Sequence, residues 1–157
     1  MKPFKLSQKM NPSEYLEFCE SMYSCKPAVP KLEYLKKLLI EEVGEIASLH
    51  AKSMRDGYVI APAALRKELG DVLWAGTMLT PFLARQPLPD KWPGLGITFG
   101  VDLETIVSDC KKFNPFLICC ELCVLYGYRS EDIANLNVLK LKKRKEENKI
   151  HGSGSDR

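Results

Sequence analysis

A chain of 157 residues has the length of one domain, enough to bury a single substantial core. Its 45% hydrophobic and 27% charged content is that of a soluble globular protein, and a net charge of +3 is too small to imply nucleic-acid binding by itself. No secretory apolar run follows Met1-Lys2-Pro3-Phe4-Lys5 and no stretch is long enough to cross a bilayer, so the expectation is one cytoplasmic domain over 1–150 with no membrane partner.

Asn11-Pro12-Ser13-Glu14 starts a short helix through Tyr15, Phe18 and Met22 that stops before Pro27 and Pro30. A second helix runs from about Lys31 to Met54 and closes at Asp56-Gly57. On it Leu32, Leu35, Leu38, Leu39, Val43, Ile46 and Leu49 form one stripe; Glu42 projects near its centre, Glu45 lies on its shoulder and Glu41 farther out. Pro62 opens a third helix that Pro81 kinks or ends, with Leu65, Leu69, Val72, Gly76, Leu79 and Leu83 clustered and Glu68 and Asp71 along one edge. The Pro- and Gly-rich stretch from Gln86 to Gly100 is a loop suited to a lid or a crossover. Helical pattern resumes from Val101 to Tyr126 with a break near Asn114-Pro115. Cys119, Cys120 and Cys123 fall on the apolar part of it as buried thiols, because a structural zinc site needs a second spaced Cys or His pair. Ser130 caps a last helix that carries Ile133, Leu136, Val138, Leu139 and Leu141 before a basic run to Lys145, and the Gly/Ser tail over 151–157 is flexible by composition. With no strand alternation and no internal repeat, the fold class is all-α, a helical bundle.

The acids at positions 42 and 45, and again at 68 and 71, are three residues apart, which sets each pair on one side of its helix. Ionised carboxylates at or beside a surface that must be buried need compensating positive charge. Hard divalent cations supply it, since Mg²⁺ takes oxygen ligands and keeps waters that can meet a phosphate.

Leu39-Ile40-Glu41-Glu42-Val43-Gly44-Glu45-Ile46-Ala47, followed by Lys67-Glu68-Leu69-Gly70-Asp71-Val72-Leu73-Trp74, resembles the paired acidic signature of the MazG-like, all-α nucleoside triphosphate pyrophosphohydrolases. Asn137-Val138-Leu139-Lys140-Leu141-Lys142-Lys143-Arg144 is similar to the Asn-x-x-Lys-Leu-x-x-Arg element near the end of many such proteins, and the tail from Ile150 is similar to those of small, including phage-encoded, members. The resemblance covers about residues 31–157 and implies a four-helix-bundle-type fold, here with an additional short N-terminal helix. It also implies Mg²⁺-dependent cleavage of a nucleoside triphosphate between its α and β phosphates, with Mn²⁺ as a substitute ion. Carried over by position, Glu42, Glu45, Glu68 and Asp71 match the metal ligands. Glu41 or Glu45 takes the proton of the attacking water, and Asn137, Lys140 and Arg144 face the substrate. The compartment is the cytoplasm, or the host's for a virus-encoded chain.

Apolar Ile40 and Trp74 opposite their main stripes point to completion of the bundle by another copy, in a homodimer or homotetramer. Trp74 and Trp92 could instead stack on a base, while His50 and His151 are isolated and carry no catalytic expectation. Two rivals stand beside this reading. One is the related phosphoribosyl-ATP pyrophosphohydrolase, which would share the acidic core. The other is a non-enzymatic helical module that binds protein or nucleic acid through the basic helix, a use that Glu146 and Glu147 weaken by interrupting the charge run.

Overall fold

The computed structural model describes residues 10–24, 28–94 and 100–147, and over these the chain is helical without strands. The helices are α1 (Pro12–Met22), α2 (Lys31–Asp56), α3 (Pro62–Leu83), α4 (Ile106–Lys112), α5 (Pro115–Leu125) and α6 (Ser130–Glu146). None of them is long and apolar enough to cross a membrane. Cys25, His151 and the tail lie outside the described residues, as does 95–99 of the long loop.

Local chemistry sets most of the boundaries. At the start of α1, Asn11 Oδ1 accepts the Glu14 N–H at 3.0 Å, and Glu14 Oε2 accepts the Asn11 N–H at 2.8 Å. This reciprocal cap satisfies two otherwise orphaned donors. Gly57 ends α2 at φ +70°, a left-handed conformation that glycine adopts without a side-chain penalty, and its N–H reaches the Ser53 carbonyl at 2.8 Å. Asn114 caps α5 by accepting from the Phe116 and Leu117 N–H groups.

Three boundary expectations need correction. Of the two outcomes expected at Pro81, a kink or an end, the end is not seen: α3 continues to Leu83, although the proline has no N–H to give the carbonyl four residues before it. Helix resumes only at Ile106 rather than at Val101. Ser130 is the first residue of α6 and not its cap: it is buried, and Arg129 occupies the capping position without a side-chain cap bond. On the same helix Leu136 and Leu139 are exposed, and Ile133, Ala134, Asn137 and Val138 form the inward face.

The centre of the molecule is α3, which touches each of the other five helices. It buries Glu68 to Gly70, Val72, Leu73 and every residue from Ala75 to Thr80, so a single apolar stripe understates it. Trp74 accordingly packs partly against the core, whereas Ile40 on α2 is 55% exposed. At Gly76 an added Cβ would meet Cys119 Sγ at 2.3 Å and the Pro115 carbonyl at 3.1 Å, which is why α5 can cross α3 so closely there. Thr80 Oγ1 also receives the Phe116 N–H at 3.0 Å, fastening the first turn of α5 to α3. Cys19, Cys110, Cys119, Cys120 and Cys123 are free and buried. Trp92 is part of the packing: its Nε1–H donates to the Met10 carbonyl at 2.6 Å, and its ring lies 5.8 Å from Tyr15 and 5.5 Å from Phe116.

Candidate metal centre

Where α2 and α3 pack together, one carboxylate oxygen from each of Glu42, Glu68 and Asp71 lies within 4.8 Å of the others. Glu68 is 6% exposed; its Oε1 accepts from Lys67 Nζ at 3.0 Å, while Oε2 is buried without a hydrogen-bond partner among the described residues. Asp71 Oδ1 accepts from Lys140 Nζ and from Asn137 Nδ2, the latter at 3.3 Å. Burial, then the nearby Asp71 and Glu45 carboxylates, push the Glu42 carboxyl up to about 8, against the opposing pull of Lys140. Burial likewise raises Glu68, with Lys67 opposing and Glu45 adding to the rise. The cause in both cases is a shortage of positive charge among crowded acids.

Those observations decide whether a cation fits. The donors are all oxygens, as a hard divalent ion requires, and the orphaned Glu68 Oε2 is a buried acceptor awaiting a positive partner. Lys67 and Lys140 stand against Glu42, Glu45, Glu68 and Asp71, leaving a surplus of negative charge that such an ion would offset.

The other expected residues divide by position. Glu45 is half-buried beside Glu68 but outside the cluster of three oxygens, and Glu41 is exposed. Asn137 is buried at 2%, and Lys140 rests on Asp71. Arg144, one turn farther along α6, is half-exposed and is not brought to the cluster by any ion pair or hydrogen bond among the described residues. Gly70 explains how α6 gets close: an added Cβ there would stand 3.2 Å from both Cβ and Nδ2 of Asn137. Gly44 faces open space and has no such role.

Sequence reasoning left Arg66, Lys67 and Tyr15 without a role. Arg66, Lys67, Asn137 and Lys140 line a cavity of about 220 Å³, closed by Ala63 and Leu136, that adjoins the acids through its shared residues. The available signal was a pair of basic residues directly before Glu68 in an otherwise apolar helix. A larger cavity of about 490 Å³, bordered by Met10, Trp92 and Arg129, contains none of the clustered acids; charge rather than size singles out the smaller one.

Carboxylates converging from two packed helices of an all-α fold are an arrangement able to hold a divalent cation. The family model for the MazG nucleotide pyrophosphohydrolase domain matches residues 31–86, so the segment that forms α2 and α3 is similar to that domain. No curated protein and no solved structure matches the chain.

Proposed function

We propose that the protein is a Mg²⁺-dependent hydrolase that cleaves a nucleoside triphosphate between its α and β phosphates, releasing a nucleoside monophosphate and pyrophosphate. The observation that carries this reading is the meeting of Glu42, Glu68 and Asp71 beside a cavity lined by Arg66, Lys67 and Lys140. Glu42, Glu68 and Asp71 would hold the cation, with Glu45 as the adjoining fourth acid. Bound there, Mg²⁺ or Mn²⁺ supplies charge neutralisation at phosphate oxygens and lowers the pKa of a water.

The chain's own residues do the rest. Arg66, Lys67 and Lys140, which line the cavity, offer cationic donors to the phosphates. Asn137 keeps one amide proton on Asp71 and so holds that carboxylate in place. Of the two candidate proton acceptors, Glu45 faces Glu68, whereas exposed Glu41 reaches the site only from outside; Glu45 is therefore assigned the proton of the attacking water. Arg144 contributes at the outer edge. The Lys140 side chain is largely covered beside Asp71 rather than displayed on an open cationic face, a setting that suits a small phosphate ligand better than a nucleic-acid backbone.

A panel of canonical, deoxy and modified triphosphates with Mg²⁺, in which pyrophosphate and phosphate are measured separately, tests the assignment. Pyrophosphate is expected, and phosphate alone overturns the reading. In the same assay Lys140→Ala should lower kcat/KM by about 10- to 100-fold, the scale of one charged hydrogen bond, and Lys143→Ala, which lies on the exposed side, should not.

The reading includes self-association in the cytoplasm as a homodimer or homotetramer, supported by the exposed apolar Ile40 and Phe82. Light scattering should report more than one chain per particle; a monomer throughout the micromolar range would remove this part.

A further inference from the structure

The acidic cluster is reached from a part of the chain that lies outside the family match. Tyr15, on α1, is fully buried, and its hydroxyl donates to Asn137 Oδ1 at 3.1 Å; Asn137 Nδ2 then donates to Asp71 Oδ1 at 3.3 Å. We propose that Tyr15 is a positioning residue for the metal centre, acting through Asn137 to orient the Asp71 carboxylate. This rests on the metal-site reading above.

The direction of the chain follows from what each group can do. A carboxylate only accepts, so the amide of Asn137 must turn its N–H toward Asp71. Its oxygen is then forced to the opposite side, into a buried setting where a missing donor is costly. Tyr15 is the donor found there. Cys19, one turn farther along α1, lies against the same hydroxyl, but sulfur is a weak acceptor and does not compete with an amide oxygen. Burial above all, then Cys19 and Asp71, hold the phenol protonated well above its usual range, so it remains a donor at any working pH.

Steric fit removes the remaining freedom. Gly70 lets Asn137 lie so close to α3 that an added Cβ would stand only 3.2 Å from it, and the Tyr15 ring is held by Trp92 at 5.8 Å. Without the hydroxyl, the Asn137 amide has no reason to prefer one flip over the other except Asp71 itself. In the flipped state its oxygen would face a carboxylate, and Asp71 would lose the donor that fixes it. Partners of this kind behind a metal ligand typically affect ion affinity by 10–100-fold.

The test is Mn²⁺ binding by calorimetry on the full-length protein, without substrate. Tyr15→Phe keeps the ring and removes only the hydroxyl, and should weaken Mn²⁺ binding about tenfold. In an Asn137→Ala background the same change should have no further effect, because the intermediary is gone. The metal-free Tyr15→Phe protein should also show a displaced Asn137 side-chain amide resonance by NMR. Asn11→Ala serves as the control for loosening of α1: it removes the cap, lowers Tm and should leave Mn²⁺ affinity unchanged. Wild-type protein that binds no Mn²⁺ overturns both the metal site and the positioning role. Wild-type protein that binds, with Tyr15→Phe binding equally well and its Asn137 resonance unmoved, overturns the positioning role alone, as does an equal loss of affinity in Asn11→Ala.

Discussion

Glu42→Gln is expected to reduce triphosphate cleavage by about a thousandfold or more, equivalent to roughly 4 kcal/mol of barrier, while the metal-free protein melts no lower than wild type. The two halves of this result have one cause. A Gln keeps the size of the side chain but removes a charge that the metal would use and that the metal-free site tolerates poorly, as its upward displacement to about 8 shows. Asp71→Asn should be equally inactive but should not share the thermal benefit, because it also deprives Lys140 of its ion-pair partner. Pyrophosphate release in single turnovers, set beside melting curves in EDTA, separates the variants. Mg²⁺-dependent turnover retained in both would remove the acidic site from the chemistry.

The second large effect is on stability as a function of pH. Glu42 has its folded-state pKa raised to about 8 from an ordinary value of 4.5. The folded protein therefore holds this proton more tightly than the unfolded chain does. The stabilisation is complete below about pH 4.5 and is lost as pH rises toward 8, so metal-free protein should become less stable across that window. The effect is on the order of 2–4 kcal/mol, allowing for water that reaches a carboxyl only partly buried. Glu68, shifted in the same direction, adds to the slope. Glu42→Gln should flatten the curve. Saturating Mg²⁺ should reverse the decline near pH 8, since an ion that binds only the folded, ionised site stabilises it by mass action. Denaturant melts at several pH values, with EDTA or with Mg²⁺, read this directly; a metal-free protein that gains stability from pH 5 to 8 would contradict the site's electrostatics.

Much of this architecture is legible in the residues. Caps and breakers are local, so Asn11, Gly57 and Asn114 announce the helix ends they make. The acids of α2 and α3 announce themselves because carboxylates at helical spacing beside apolar residues need an explanation. What is not legible depends on three-dimensional neighbours. The all-round burial of α3 comes from five partner helices, and periodicity within one helix cannot reveal how many faces will be covered. Ser130 resembles a cap, but the approach of α6 to the core turns it inward. Lys140 and Arg144 look equivalent in the basic run. Only the packing of α6 on α3 shows that the first meets Asp71 and the second does not. Tyr15 lies 122 positions from the amide it serves, a separation across which no spacing rule operates.

That separation also sets an order of events during synthesis. Glu42, Glu68 and Asp71 leave the ribosome well before α6 exists, so α2 and α3 emerge with crowded carboxylates and only Lys67 beside them. Lys140 and Asn137 arrive with the final helix, and their docking on Asp71 adds the missing ammonium and amide in one movement. Docking of α6 is thus the step that adds a second ammonium to a centre that still carries more acid than base. A nascent chain therefore cannot complete this grouping of acids, ammonium and amide until α6 has been made.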